Sequence, residues 1–390
     1  MNQALGDLVG KSVDAVDTPS LVIDLDSMEH NLHTMAAFAA KHHVMLRPHA
    51  KMHKSAELAK LQMAAGAVGV CVQKTSEAEA LAAGGVHNIF ISNEVIAPDK
   101  LARVARLSRV LAALGGSLAI CVDSIEGIQR LAASMGKERL SSGVNTAIDV
   151  FIELDVGQNR CGVEPGPAAA LLTLEIRKHP ALNFAGLQAY HCKAQHLRSA
   201  IEREKAITNA IDAVRHTCAC IEKAGIKVPL VTGAGTGTAP LEAASKLYGE
   251  LQAGSYLFMD ADYAANEPAI DQPQFAHALF VKTQVISVHA GYVVCDAGHK
   301  SHAIDSGMPK VHSLGNGGTL DYSNGGDEHG ILKPAAGNTW LPGLGSMLWL
   351  IPGHCDPTVN LHNEMIGVRG GLLNGVVERI IAVAARGCLS

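Results

Sequence analysis

The sequence has few of the features that mark membrane, secreted or nucleic-acid-binding proteins. Aromatic residues make up only 4% of the 390 residues, and the net charge is −5. A weakly acidic chain offers no cationic surface to nucleic acid or to an anionic membrane, so we expect neither partner. No apolar run approaches the length of a membrane span, and residues 1–11 lack the basic and apolar pattern of a secretory signal.

Cysteine is also used without a regular pattern. The nine cysteines are an odd number and include no C-x-x-C pair, which argues against a disulfide framework. We therefore expect reduced, mostly buried thiols in a cytoplasmic protein. Cys192 and Cys355 are the candidates for reactive thiols.

What the chain does have is an alternation of short apolar runs with alanine-rich helical stretches, from about residue 20 to residue 260. Such repeated units predict an α/β barrel of the TIM type, with an open doubly wound sheet as the alternative. The apolar runs predicted as strands are Leu21–Leu25, Val44–Leu46, Val68–Val72, Ile89–Ser92, Leu118–Val122, Val150–Leu154, Phe184–Ala189, Val228–Thr232 and Leu251–Met259.

The pattern changes after residue 266, where short strands are separated by glycine, asparagine and aspartate turns. We predict a barrel over residues 18–265 and a β domain over residues 266–390. Residues 1–17 are predicted to belong to the β domain. The strands predicted in the second part are Phe280–Val288, Tyr292–Cys295, Leu348–Ile351, Met365–Arg369 and Val376–Ala385.

The first candidate functional segment is Arg47-Pro48-His49-Ala50-Lys51-Met52-His53-Lys54, which begins where a predicted strand ends. Cationic neighbours and partial burial disfavour the ammonium form of a lysine and leave a nucleophilic amine. We therefore predict that Lys51 is suited to imine chemistry. Taken alone, the segment is also compatible with a solvated basic loop.

A glycine-rich segment, Val231–Thr238, follows a later strand. Glycines let the backbone approach an anion closely, and threonine hydroxyls and backbone amides donate hydrogen bonds to it. The spacing differs from the dinucleotide-binding fingerprint, so we predict a phosphate cradle of another kind, which Gly254-Ser255-Tyr256 would close from the next unit. An ordinary glycine turn is the alternative.

A candidate metal site follows the predicted strand Leu348–Ile351. Residues two apart on an extended segment point the same way, so His354 and Asp356 would share one face. One imidazole and one carboxylate, completed by waters, suit Mn²⁺ or Mg²⁺. A capping histidine with an aspartate in an Asx turn is the structural alternative, and His362 is either a third ligand or a turn residue.

Three more side chains follow strand ends. Arg160 lies in a glycine-bounded turn, where its guanidinium can bind a phenolate or carboxylate oxygen. Tyr190 and His196 come after the next predicted strand, and histidine is the usual general base near neutral pH. A surface arginine and a structural histidine are the alternatives.

Together these motifs resemble the metal-activated, pyridoxal-phosphate-dependent D-threonine aldolases and the related 3-hydroxy-D-aspartate aldolases. The resemblance spans nearly the whole chain and implies an alanine-racemase-like fold, with an N-terminal α/β barrel, a C-terminal β domain and a homodimeric state. The motifs that carry it are Arg-Pro-His-Ala-Lys-x-His-Lys, Gln-Asn-Arg-Cys-Gly, Leu-Gln-Ala-Tyr-His, Gly-x-Gly-Thr-Gly-Thr, Leu-Gln-Ala-Gly-Ser-Tyr and His-Cys-Asp-Pro-Thr.

The resemblance also implies individual roles. Lys51 would bond covalently to pyridoxal phosphate, His196 would be the candidate base, and His354 and Asp356 would hold a divalent ion, Mn²⁺ or Mg²⁺. The remaining implied cofactor-binding residues are Gln73, Arg160, Tyr190, Thr236, Gly254, Ser255 and Tyr256. Cys192 and Ala234 stand where the family usually has glycine, which leaves the substrate preference open.

The implied activity is cleavage of a D-β-hydroxy-α-amino acid, such as D-threonine, to glycine and an aldehyde. A 3-hydroxy-D-aspartate-specific aldolase would release glyoxylate. A D-serine or 3-hydroxyaspartate dehydratase on the same fold is the nearest rival, but those relatives typically place cysteine where Asp356 stands. A pyridoxal-phosphate carrier would not need the β domain, and a non-haem iron oxygenase would leave Lys51 unexplained.

Overall fold

The computed structural model describes residues 6–312 and 318–390. The strands, in chain order, are β1 (Ser20–Asp24), β2 (Met45–Leu46), β3 (Val70–Val72), β4 (Asn88–Glu94), β5 (Ser117–Val122), β6 (Ile148–Glu153), β7 (Leu182–Ala189), β8 (Val231–Gly233), β9 (Glu250–Leu251), β10 (Leu279–His289), β11 (Tyr292–Cys295), β12 (Lys310–Val311), β13 (Leu320–Asn324), β14 (Gly330–Pro334), β15 (Met347–Ile351), β16 (Glu364–Arg369) and β17 (Val376–Ala382).

Helices alternate with the strands through the first part of the chain and are short in the second. The α-helices are Leu25–His42, Ala56–Ala64, Thr75–Ala83, Pro98–Ala113, Ile125–Ser142, Pro167–Ile176, Ala200–Lys223, Ala239–Ala244, Cys355–Val359 and Gly371–Asn374. Short 3₁₀ turns are Val13–Ala15, Ala50–Met52, Lys193–His196, Ser255–Leu257 and Tyr263–Ala265. Among the described residues, no helix combines the length and the hydropathy that crossing a membrane requires.

Eight parallel strands form the predicted barrel, in the order β2-β9-β8-β7-β6-β5-β4-β3. The two ends of this order also meet, because the backbone N–H of Val68 donates to the Leu46 carbonyl at 2.9 Å and that of Cys71 to the Pro48 carbonyl at 2.8 Å. The helices cover the outside, so barrel strands such as β5 and β6 are buried on both faces. The barrel prediction is confirmed, and the open-sheet alternative is wrong.

The second sheet has nine strands and is mostly antiparallel. It confirms the predicted β part and adds three strands that the sequence analysis missed, β12, β13 and β14. In β13, only Leu320 and Tyr322 face the core, and β14 begins with glycine and ends with proline, so neither has the continuous apolar run that we used as a signal.

One strand predicted for the barrel lies elsewhere. β1 pairs antiparallel with β10 and parallel with β16, so it belongs to the second sheet. Its central residues are buried on both faces and a helix follows it, as in a barrel unit, so the local pattern cannot distinguish the two sheets. The boundaries 18–265 and 266–390 remain predictions, and the placement of this strand departs from them.

The barrel core gives a test of stability. Ile120 in β5 is 1% exposed, whereas Leu140 in a helix is 87% exposed. We expect Ile120→Ala to lower the free energy of unfolding by about 2–5 kcal/mol, because the substitution removes buried methyl groups and leaves a cavity. Leu140→Ala, the matched control, should change it by less than about 0.5 kcal/mol. Urea unfolding followed by circular dichroism measures both, and equal effects would contradict this packing.

Candidate active site

One pocket at the carboxyl ends of the barrel strands collects the predicted site residues. Its volume is about 770 Å³, and part of this volume is open to solvent. The predicted residues that line it are Lys51, Gln73, Arg160, Tyr190, His196, Thr236, Gly254, Ser255, His354 and Asp356. Tyr256 does not line it, because its side chain is fully buried and its hydroxyl accepts a hydrogen bond from Gln62 Nε2 at 3.1 Å. The strand ends and the loop after β15 therefore meet at one place.

Lys51 lies in the short turn Ala50–Met52, which His49 caps by accepting the Lys51 backbone N–H. Its Nζ is 3.2 Å from Asp356 Oδ2. The negative charge of Asp356 raises the pKa of Lys51, although burial alone would lower it. The expectation that neighbouring cations lower this pKa is therefore wrong for the structure, because the sequence argument did not include a carboxylate from the second sheet.

Gln73 follows β3 and is held by two buried neighbours. Its carboxamide lies 2.9 Å from His49 Nε2, and its Nε2 donates to Ser92 Oγ at 3.3 Å. Burial lowers the pKa of His49 well below its usual range, so this imidazole is neutral. The part of the pocket wall formed by His49, Gln73 and Ser92 is therefore polar and uncharged.

The predicted cradle contains two glycines that the local packing requires. A Cβ on Gly235 would lie 2.3 Å from Gln195 Oε1, and a Cβ on Gly254 would lie 2.7 Å from the His49 carbonyl. Thr236 Oγ1 accepts the backbone N–H of Tyr256 at 2.9 Å, which joins the two halves of the cradle. Tyr256 thus contributes its backbone rather than its side chain.

Ala234, one of the two departures from the resembled family, has a left-handed backbone with φ of 68°. This conformation costs an L-residue about 1 kcal/mol or more, and glycine adopts it freely. The second departure, Cys192, also lines the pocket and is partly buried.

Arg160 and Tyr190 approach the pocket from the ends of β6 and β7. Arg160 Nη2 lies 3.6 Å from Glu153 Oε1, and nearly half of its side chain is exposed, so the guanidinium is free to bind a ligand oxygen. Burial raises the pKa of the Tyr190 phenol above its usual value, so the hydroxyl stays protonated.

His354 and Asp356 come together, although not on an extended segment as predicted. His354 is extended and precedes the helix Cys355–Val359, whose first turn carries Asp356. His354 Nε2 lies 3.9 Å from Asp356 Oδ1, and this buried oxygen has no hydrogen-bond partner among the residues that the structure describes. A cation bound by both atoms would satisfy it, so the residues fit a divalent ion.

Among the described residues, the neighbourhood of His354 and Asp356 supplies no third protein ligand. Within residues 6–312 and 318–390, no group of three or more histidine, cysteine, aspartate and glutamate side chains is arranged to hold a metal. His362 is occupied elsewhere, with Nε2 2.8 Å from the Ser301 carbonyl. A metal here would be completed by water or substrate oxygens, which are ligands that Mn²⁺ and Mg²⁺ accept readily.

Two aspartates that none of the sequence motifs indicated hold the site's histidines. Asp260 Oδ2 is 2.9 Å from His354 Nδ1 and also accepts the Cys355 backbone N–H at 3.0 Å. Burial alone would lower the pKa of His354, but the hydrogen bond with Asp260 raises it to about 9. The signal available in the sequence was an acidic pair soon after the last barrel strand.

Asp262, the second of these, holds His196. Its Oδ2 lies 2.7 Å from His196 Nδ1, and Arg198 binds its other oxygen. Burial alone would raise the pKa of Asp262, but the hydrogen bonds from His196 and Arg198 lower it to about 2. This carboxylate is therefore charged near neutral pH, and His196 Nε2 remains available to a ligand.

Comparison with known proteins agrees with this geometry. Residues 23–262 match the family model of the alanine racemase N-terminal domain, and residues 278–368 match a putative serine dehydratase domain. The chain is 43% identical to D-threonine aldolase from Arthrobacter sp., over 97% of this chain and 95% of that protein. It belongs to the D-threonine aldolase family.

Other proteins are also similar over most of their length. The 3-hydroxy-D-aspartate aldolase of Paracoccus denitrificans is 39% identical over 97% of this chain and 95% of that protein. The crystal structure of D-threonine aldolase from Filomicrobium marinum has a TM-score of 0.91 and 44% identity, covering 98% of this chain and 99% of that one. A D-threo-3-hydroxyaspartate dehydratase from Delftia sp. is more distant, at 32% identity over 88% of this chain and 92% of that protein. The family is pyridoxal-phosphate-dependent, and the relatives named aldolases are carbon–carbon lyases.

Gly254 gives a test of the cradle. An alanine Cβ there would press on the His49 carbonyl, next to Lys51. Overpacking of this kind costs about 1–3 kcal/mol, so we expect Gly254→Ala to weaken pyridoxal phosphate binding by roughly ten-fold or more. Gly291→Ala is the control, since its Cβ would meet nothing within 4 Å. Equilibrium dialysis gives both affinities, and an unchanged affinity for Gly254→Ala would argue against this cradle.

Proposed function

We propose that this chain is a pyridoxal-phosphate- and divalent-metal-dependent aldolase that cleaves D-β-hydroxy-α-amino acids of the D-threonine type to glycine and an aldehyde. The observation that carries the proposal is the convergence of Lys51, His196 and the pair His354 and Asp356 on one pocket. These groups are an amine, a base and a candidate metal site, and membership of the D-threonine aldolase family supports the assignment.

Residues of different chemistry would contact different parts of the cofactor. Lys51 is the amine that would bond to it, Arg160 and Tyr190 would contact the ring, and Thr236, Gly254 and Ser255 would contact the phosphate, with the Tyr256 backbone beside them. Gln73 completes the wall on the side of His49. When bound, pyridoxal phosphate withdraws electrons from the substrate's Cα.

The metal would be held by His354 Nε2 and Asp356 Oδ1. This placement is supported because Asp356 Oδ1 is buried and has no hydrogen-bond partner among the described residues. Mn²⁺ or Mg²⁺ fits one imidazole and one carboxylate completed by oxygens. A divalent ion acidifies a hydroxyl group that it binds.

His196 is the base in this proposal. Because its Nδ1 faces the charged Asp262, its Nε2 is the nitrogen that accepts the proton of the substrate's β-hydroxyl. As that proton leaves, the oxygen's electrons form the aldehyde C=O and the Cα–Cβ bond breaks, leaving its electrons on Cα. Protonation of Cα gives glycine. Asp262 stabilises the positive charge that forms on the imidazole.

The charges of the pocket favour a substrate with an uncharged side chain. Among the described residues that line the pocket, Lys51 and Arg160 are the only lysine and arginine, and both are assigned to the cofactor. No further cation of these types is left for the second carboxylate of 3-hydroxyaspartate. We therefore place D-threonine ahead of 3-hydroxy-D-aspartate, and the aldolase ahead of the dehydratase.

The proposal also includes a cytoplasmic homodimer that binds neither nucleic acid nor membranes. The family resemblance supports the dimer, and the net charge of −5 supports the absence of polyanionic partners. Sedimentation equilibrium would then give about twice the chain mass of 40.8 kDa.

The reaction is tested by product analysis. Purified protein with pyridoxal phosphate and Mn²⁺ is supplied with D-threonine or D-3-hydroxyaspartate, with and without EDTA. We expect glycine and acetaldehyde from D-threonine, lost on chelation and restored by Mn²⁺, because a divalent ion held by His354 and Asp356 would acidify the hydroxyl. Ammonia and a 2-oxo acid would identify a dehydratase instead. Faster release of glyoxylate from D-3-hydroxyaspartate would reverse the substrate preference.

Lys51 is tested by substitution. We expect Lys51→Ala to lower kcat by roughly 10³-fold or more and to remove the visible absorbance of the bound cofactor, because the pocket loses its amine. Lys60→Ala, on the exposed side of the helix Ala56–Ala64, is the control and should leave both unchanged. An active Lys51→Ala variant would refute the assignment.

A further inference from the structure

The segment Asp260-Ala261-Asp262 lies where the barrel meets the second sheet. The backbone N–H of Ala261 donates to the Pro352 carbonyl at 3.0 Å, and that of Asp262 donates to the Gly353 carbonyl at 3.1 Å. Ala261 is itself buried among the apolar residues of the second sheet. These hydrogen bonds fix the segment to the chain just before His354.

Each aspartate of this segment lies beside the Nδ1 atom of one histidine. Asp260 lies 2.9 Å from Nδ1 of His354, and Asp262 lies 2.7 Å from Nδ1 of His196. Both carboxylates are buried, at 0% and 6% exposure. A buried carboxylate accepts hydrogen bonds, so each imidazole carries a proton on Nδ1 and points Nε2 away from its aspartate.

Each aspartate is held in turn by other donors. Asp260 also accepts the backbone N–H groups of Tyr263, at 2.9 Å, and Cys355, at 3.0 Å. Asp262 is bound by the guanidinium of Arg198, which also donates to Asn266 Oδ1 at 2.7 Å. The two carboxylates are therefore fixed before any ligand binds, and both Nε2 atoms belong to side chains that line the pocket.

We propose that Asp260 and Asp262 are positioning residues with separate roles, in which Asp260 sets the affinity of the metal site by orienting His354, and Asp262 sets the proton transfer by orienting His196. The assignment of these roles rests on the proposed function. A carboxylate that receives the second N–H of a ligating histidine typically contributes 10–100-fold to metal affinity. An aspartate that fixes the tautomer of a catalytic histidine acts on kcat instead.

The first test measures Mn²⁺ affinity without substrate, by electron paramagnetic resonance of the free ion. We expect Asp260→Asn to weaken Mn²⁺ binding by about ten-fold or more. Asp262→Asn, and the exposed control Asp271→Asn, should stay within about two-fold of the wild type. An unchanged affinity for Asp260→Asn, or equal losses for both asparagine variants of the pair, would overturn the separation of roles.

The second test measures the tautomer of His196 directly, by long-range ¹H–¹⁵N correlation in histidine-labelled protein. We expect an Nδ1–H tautomer in the wild type and in Asp260→Asn, and a loss of that preference in Asp262→Asn. A wild-type signal with the proton on Nε2 would overturn the role of Asp262. This measurement and the Mn²⁺ titration need no turnover, so they stand even if no aldolase activity is found.

Kinetics at saturating Mn²⁺ complete the experiment. We expect Asp262→Asn to lower kcat by about 10²-fold with little change in KM, and Asp260→Asn to recover most of its kcat once Mn²⁺ is in excess. If Asp260→Asn does not fold, Asp260→Glu replaces it, because the longer side chain keeps the charge but moves the carboxylate from His354. A raised KM with an unchanged kcat in Asp262→Asn would contradict a role in proton transfer.

Discussion

The contact between the barrel and the second sheet is the constraint on which the site depends. The barrel supplies Lys51, the glycine-rich segment and His196 to the pocket, and the second part of the chain supplies His354 and Asp356. The two halves meet through backbone hydrogen bonds between residues 260–262 and residues 352–353. Because backbone groups have no rotamers, this contact holds the two sets of side chains at fixed separations. The salt bridge between Lys51 and Asp356, at 3.2 Å, also joins the two parts.

A chain of buried polar groups forms the floor below the pocket. Arg47 pairs with Glu250 at 2.9 Å, Thr232 donates to the same carboxylate at 2.7 Å, and Gln252 donates to Thr232 at 2.8 Å. Gln252, just after β9, and Gln188, in β7, then exchange hydrogen bonds. Polar groups buried in a barrel are stable only when they are paired, and a fully paired network resists rearrangement. The part of the pocket that Gln188 and Gln252 line is therefore held by hydrogen bonds.

Much of this arrangement followed from local sequence signals. Lys51, Arg160, Tyr190 and Thr236 were found because each comes soon after a strand, and the carboxyl ends of parallel strands meet at one rim. The glycines of the cradle were found because close backbone approach restricts residue choice. Where local chemistry determines the position, the sequence was sufficient.

The rest required tertiary structure. β1 looks like any buried parallel strand, and only its partners β10 and β16 place it in the second sheet. The pKa of Lys51 follows from a carboxylate far along the chain, and Asp260 and Asp262 acquire meaning only through the histidines they contact. His354 and Asp356 meet across a helix start rather than along a strand, which the spacing of two residues did not reveal.

The short stretch from Pro352 to Asp356 has a consequence for how such enzymes diversify. Both candidate metal ligands lie within it, and the residues that would grip the cofactor lie on the barrel instead. In the proposed mechanism, a substitution in this stretch would change the metal site that meets the substrate's hydroxyl and, through Asp356, the charge beside Lys51. The other residues proposed to contact the cofactor would stay in place on the barrel. Substitutions in this one short segment can therefore change the reaction that the substrate undergoes, in evolution or in engineered variants, while the rest of the barrel is retained.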